Sequence, residues 1–216
     1  MSAAVVISGW GVVSPLGSDA ITFAERLFAG RGAFGVFELR LRGCDAAQIP
    51  VARCDWRDGS VLSPSRLPLD RGSAMALQAA SAATAQAALD AGRFDPQRLG
   101  IFWGSGMGGA STFDATCHAL YAEHRRVRPS TVVTCMPNAA LGEIAIRFKA
   151  RGLALGYAAA CASAAVAIGE AMHAVRSGRV DVAIAGGSEA LLTPGVVAAW
   201  QAMRVLAPLR DGAAAH

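Results

Sequence analysis

The chain has 216 residues, 53% of them hydrophobic and 17% charged, which is long enough for a substantial core and too apolar for a disordered segment. The net charge is +4 and nearly all of the positive charge is arginine, with Lys149 the one lysine, and only Arg125, Arg126 and Arg128 cluster, so no basic stripe with interleaved aromatics supports nucleic-acid binding. No run of about eighteen uncharged apolar residues offers a membrane span, and Met1 to Gly9 lacks the features of a signal peptide, so a soluble cytoplasmic protein is expected.

Ala3 to Gly9 is a β-branched run closed by Gly9 and Gly11 and reads as a short buried strand. Ser14, Pro15, Gly17, Ser18 and Asp19 form a loop, and Asp19 is placed to cap a helix over Ile21 to Phe28 that Gly30 and Gly32 stop. Gly32 to Leu69, broken by Pro50, Pro64 and Pro68, reads as an irregular excursion. Asp70 to Ala91 is Ala-rich, carries little charge on any face and is expected to be a buried helix ended by Gly92.

Leu99 to Gly104 predicts a second buried strand, followed by the glycine-rich stretch Gly104 to Gly109 and a helix from about Phe113 to Glu123. Pro129 to Pro137 leads into a helix over Ala139 to Phe148, closed by Gly152. The last portion alternates: a strand over Ala154 to Ala160, a helix from about Ala162 to Ser177, a strand over Val180 to Ala185 and a helix from Pro194 to about Met203. Strands separated by helices of this length imply βα units, an α/β fold and a mostly parallel sheet covered by helices on both faces.

The five cysteines, Cys44, Cys54, Cys117, Cys135 and Cys161, are odd in number and widely spaced, with no C-x-x-C pair and no nearby His in metal-ligand spacing. Neither a disulfide framework nor a zinc site follows. Cys161 differs from the rest: a predicted strand runs into it with no turn residues between, and Ala162, Ser163, Ala164 and Ala165 open a helix. That join puts the sulfur at a helix N-terminus, where unpaired N–H groups and the dipole favour a thiolate. Such a thiolate, with its own N–H facing a tetrahedral oxyanion, suits acyl transfer from a thioester. On these residues alone a cysteine packed as a small hydrophobe is the competing reading.

The segment resembles the active-site region of β-ketoacyl-acyl carrier protein synthases and polyketide ketosynthases of the thiolase superfamily. It presents Ala160-Cys161-Ala162-Ser163, then Ile168-Gly169-Glu170-Ala171, then Gly186-Gly187-Ser188-Glu189, in that family's order and spacing. Val5 to Gly17, Leu69 to Gly92, Gly104 to Gly109 and Met136 to Ile146 are also similar to the family, so the resemblance covers essentially the whole chain. Gly104, Gly106 and Gly109 satisfy the dinucleotide fingerprint G-x-G-x-x-G as well, but the predicted helix begins late after it and no acidic residue is clearly placed downstream.

The resemblance implies a thiolase-like fold, of which residues 1–216 form the amino-terminal βα half. It implies Cys161 as the acyl-accepting nucleophile, Met107 as a candidate lining residue of the acyl pocket, and Met136 in a segment near the dimer interface and the partner's pocket. Asn138 has an equally good local role as a helix N-cap. The implied reaction is decarboxylative Claisen condensation with a malonyl unit in fatty acid or polyketide assembly. Substrates would arrive on the phosphopantetheine of an acyl carrier protein, with no metal or nucleotide, and Arg66 and Arg71 are candidate carrier contacts. His118, His124 and His173 match no family role, and His173 lies about three helical turns beyond Cys161, out of reach of the thiol.

Similar enzymes are about twice as long and carry two histidines and a lysine of the site in their second half. The tail Arg204 to His216 resembles the start of the loop joining the halves. The chain is therefore expected to require a second half and to form a homodimer or a heterodimer with a related ketosynthase subunit. Ala159 stands where the family usually has Ser or Thr. The alternative readings are a non-catalytic partner resembling a chain-length factor, which usually lacks the cysteine, and another cysteine acyltransferase of the same fold.

Overall fold

The computed structural model describes residues 4–39, 47–57, 61–89, 94–210 and 213–214. Cys44, Ala91 and Gly92, and the first residue of the expected opening strand, lie outside the described residues. Helix α1 (Ala20–Phe28) begins as the sequence predicts, with Asp19 Oδ1 accepting from the Thr22 N–H at 2.8 Å, and ends at Gly30, whose φ is +62°. The excursion after it is more regular than expected. Strands β1 (Phe34–Leu39) and β2 (Ala47–Ala52) pair antiparallel, with Pro50 opposite Val36. In a two-stranded ribbon both strands are edges, so a proline without a donor is tolerated.

Helix α2 (Arg71–Gln86) is capped by Asp70 and buries Ala76, Leu77 and Ala80. It stops short of the expected Ala91, because Ala88 turns left-handed at φ +48°. Strand β3 (Leu99–Gly104) is buried along its whole length. Helix α3 (Ala110–Tyr121) starts directly after Gly109, earlier than expected, and the short α4 (Thr131–Cys135) precedes α5 (Ala139–Arg147). The turn after α5 is made at Lys149, φ +53°, rather than at Gly152. Strand β4 (Ala154–Tyr157), α6 (Ser163–Arg176), β5 (Val182–Gly187) and α7 (Pro194–Ala202) complete the alternation, with two-residue strands β6 (Leu209–Arg210) and β7 (Ala213–Ala214) at the end.

The central sheet has the order β4-β3-β5, all parallel, as the βα pattern predicts. Side chains alternate along β3 and supply both layers. Leu99, Ile101 and Trp103 pack with Leu77 of α2 and Leu141 and Ile144 of α5, whereas Phe102 faces Ala167, Ala171 and Ala174 of α6. The alanine stripe at i, i+4 and i+7 lets α6 lie close against the sheet, which brings its N-terminus to the carboxyl ends of β3 and β5.

Residues 4–10 form no strand, and Val6 and Ile7 are 78% and 86% exposed. Lone strands leave alternate backbone groups unpaired, and no neighbour for this one is present among the described residues. The glycines that close it serve a different contact: a Cβ on Gly9 or Gly11 would collide with the carbonyl of Ala83 or Ala79 on α2, and the Trp10 N–H donates to Gln86 Oε1 at 2.7 Å.

Candidate active site

Cys161 does not follow directly from a strand. β4 ends at Tyr157 and α6 begins at Ser163, with a tight turn between them in which Ala160 is left-handed at φ +49°. The Ala162 N–H donates to the Ala159 carbonyl at 3.0 Å and the Ser163 N–H to the Ala160 carbonyl at 3.2 Å. The Cys161 side chain is exposed on this turn, just ahead of the helix. Two glycines make the position possible: a Cβ on Gly104 would strike the backbone of Ser163 and Ala164, and one on Gly187 would come within 2.7 Å of the Ala164 Cβ.

Beside the turn lies the loop between β3 and α3. The Glu189 carboxylate, two residues past β5, accepts from Ser105 Oγ at 3.0 Å, from the Gly106 N–H at 2.7 Å and from the Met107 N–H at 3.3 Å. Ser105 Oγ accepts in turn from the Gly108 N–H at 2.9 Å. Because α3 does start at once after Gly109, a late helix is no argument against the dinucleotide reading. The geometry supplies a better one. The amide groups that would cradle a pyrophosphate are already taken by an internal carboxylate, whose charge would repel a phosphate. Glu189 was visible in the sequence as the end of G-G-x-E, but its partners lie more than eighty residues away and no local pattern names them.

Gly106 lies against the turn, since a Cβ built on it would be 3.5 Å from the Ala160 carbonyl oxygen. Its neighbour Met107 and the sequence-predicted Met136 line one mainly apolar cleft of about 640 Å³, together with Phe113 and Cys117 of α3, Val132 and Cys135 of α4, and Val196 of α7. That volume suits a small ligand or an acyl chain. Cys161 is not among the lining residues; Gly106, which lies against its turn, is the chain neighbour of the lining residue Met107. Burial pushes the Cys135 thiol up, with the carboxylate of Asp70 adding to it, so Cys135 packs as an apolar wall residue.

Residues 2–214 match the family model for the β-ketoacyl synthase N-terminal domain. The chain belongs to that family. It is 37% identical to nodulation protein E of Rhizobium sp. (strain N33) over 213 residues, covering 96% of this chain and 52% of that protein. It is 32% identical to 3-oxoacyl-[acyl-carrier-protein] synthase 2 of Staphylococcus aureus (strain COL), covering 96% of this chain and 50% of the other. The structure of the ishigamide ketosynthase/chain length factor superposes with a TM-score of 0.78 at 22% identity, over 94% of this chain and 51% of that one, which shows the shared thiolase-type α/β fold. The chain spans about half the length of the curated relatives it matches.

Within this β-ketoacyl synthase domain the remaining sequence candidates have ordinary structural positions. Asn138 stands at the N-cap of α5 but makes no side-chain capping bond. His118 pairs with Glu123 at 3.5 Å on the surface, and His124 and His173 are exposed. Arg71 is half-buried and donates to the carbonyls of Cys54 at 2.6 Å and Trp56 at 3.2 Å, whereas Arg66 is exposed. Among the described residues no group of His, Cys, Asp and Glu could hold a metal, and no helix is long and apolar enough to cross a membrane.

Proposed function

We propose that the chain is the nucleophile-bearing half of a β-ketoacyl synthase and that Cys161 accepts the acyl group. The observation that carries this reading is an exposed thiol on a turn at the N-terminus of α6, beside a loop whose next residue lines an apolar cleft. Cys161 Sγ attacks the carbonyl of a carrier-bound acyl thioester, its own N–H stabilises the oxyanion, and the phosphopantetheine thiol leaves with a proton as the acyl–cysteine bond forms. A malonyl thioester then loses CO₂, the resulting carbanion attacks the acyl carbon, and the Cys161 thiolate departs. The cleft with Met107 and Met136 is the proposed acyl pocket.

Polarising the malonyl thioester carbonyl needs donors beyond one cysteine, so we assign those to a companion half. Exposed apolar side chains support such a companion and dimerisation: Val6, Ile7, Phe113 and Val132 are all at least 60% exposed. An acyl carrier protein, with Arg66 as a surface contact, is the proposed partner; the Staphylococcus relative's own name specifies that carrier. A cytoplasmic location fits a carrier-dependent reaction.

Selective alkylation tests the reading. Iodoacetamide at Cys161 should abolish condensation of acyl and malonyl carrier thioesters by the full chain with its companion. Unimpaired condensation after complete alkylation would assign the chain instead to a scaffold role like that of a chain-length factor.

A further inference from the structure

We propose that Ser163 is a positioning residue that orients the Cys161 N–H for acyl transfer; this rests on the assignment of Cys161 above. The turn Ala159-Ala160-Cys161-Ala162 contains no Gly, Asn or Asp, yet Ala160 holds a left-handed φ of +49°. Such a conformation in an alanine persists only where the surroundings impose it. Ser163 supplies that constraint. Its side chain is buried, at 4% exposure, and its hydroxyl accepts from the Ala159 N–H at 2.8 Å while donating to the Ala160 carbonyl at 2.7 Å. The same carbonyl accepts from the Ser163 N–H at 3.2 Å.

The Ala160 carbonyl and the Cys161 N–H belong to one planar peptide group, and no described peptide bond is cis. A trans peptide points its C=O and N–H in opposite directions. With the Ala160 oxygen drawn onto Ser163, the Cys161 N–H is aimed away from the helix, where an oxyanion can reach it. Losing the hydroxyl frees the Ala159 N–H and leaves the Ala160 carbonyl only the longer 3.2 Å bond from the backbone N–H of residue 163, so this peptide plane can rotate, relaxing Ala160 and turning the donor away. The contacts of Gly104 and Gly187 with the backbone of Ser163 and Ala164 do not involve the hydroxyl, so α6 itself stays seated.

The test uses the full chain and butyryl-pantetheine as acyl donor, following acylation by mass spectrometry. Ser163→Ala should slow acylation about 100-fold, the scale of losing one oxyanion donor, with KM nearly unchanged and with alkylation by iodoacetamide, which forms no oxyanion, slowed far less. Ser163→Thr, which keeps the hydroxyl, should restore acylation. If Ser163→Ala does not fold, Ser163→Cys carries the test, because a thiol bonds weakly and should give a folded protein with slowed acylation. Wild-type acylation in the folded Ala or Cys variant, or equal loss of acylation and alkylation, would overturn the proposal. Cys161→Ala separates the two levels: acyl loading that survives it refutes the nucleophile assignment itself, whereas its loss alongside a fully active Ser163→Ala refutes only the positioning role.

Discussion

Asp70 and Thr112 are joined across the chain by two hydrogen bonds, Asp70 Oδ2 accepting from the Thr112 N–H at 3.0 Å and from its hydroxyl at 2.8 Å. The other oxygen, Oδ1, caps α2 by accepting from the Gly72 N–H at 2.8 Å. One carboxylate, 1% exposed, therefore fixes the start of α2 and the first turn of α3, the helix that forms one wall of the cleft. Asp70→Ala should lower stability by roughly 2–4 kcal/mol, combining a lost cap with a buried N–H left unpaired. Chemical unfolding checks this; an unchanged midpoint would contradict it.

Glu189→Gln should alter chain-length preference more than intrinsic reactivity. An amide can no longer accept from all three donors at Ser105, Gly106 and Met107, so the loop bearing Met107 loosens. Cys161 is untouched. Acylation with an acetyl thioester should change little, while KM for a long-chain acyl thioester should shift about tenfold, the equivalent of one lost charge-assisted hydrogen bond. Competition between donors of two lengths reads the effect.

Much of the fold was legible because the βα pattern is written locally: β3 matched its expected bounds, and α6, β5 and α7 lay within a few residues of theirs. The failures share a cause. Ala3 to Gly9 has the composition of a strand, but a strand exists only with a neighbour. Pro50 looked like a breaker because sequence does not show that β1 and β2 form a ribbon of two edges. The turn before Cys161 was invisible since it contains only alanines around the cysteine; its left-handed residue is held by Ser163 and not by local propensity. Met107 and Met136 were singled out through the resemblance, and their common cleft emerged only from the packing of α3, α4 and α7.

Gly104→Ala probes the seating of α6. The added methyl meets backbone atoms of Ser163 and Ala164, which cannot rotate aside as a flexible side chain would. Overpacking of this kind should cost about 1–3 kcal/mol. It should also slow acylation of Cys161, because the displaced element carries the nucleophile's turn. Thermal unfolding and acyl loading on the same preparation measure both.

The Arg98–Asp181 pair, 2.6 Å apart at the ends of β3 and β5, gives a pH signature. The hydrogen bond from Arg98, with its charge, holds the Asp181 carboxyl below its ordinary 3.8. The native state thus binds fewer protons than the unfolded state in this range, so the pair's contribution is complete above about pH 3.8 and fades as pH falls through the lowered value. Asp181→Asn should reduce stability at pH 7, and its difference from the parent should shrink in acid and in high salt. A difference that grew on acidification would contradict the assignment.

Locating the acyl group itself tests the central claim most directly. The full chain incubated with butyryl-pantetheine, then digested and mapped by mass spectrometry, should carry one butyryl group on the peptide containing Cys161 and none after Cys161→Ala. Butyryl found on Cys117, Cys135 or Cys54 with Cys161 bare, or no acylation of a folded protein whose Cys161 still reacts with iodoacetamide, would contradict it.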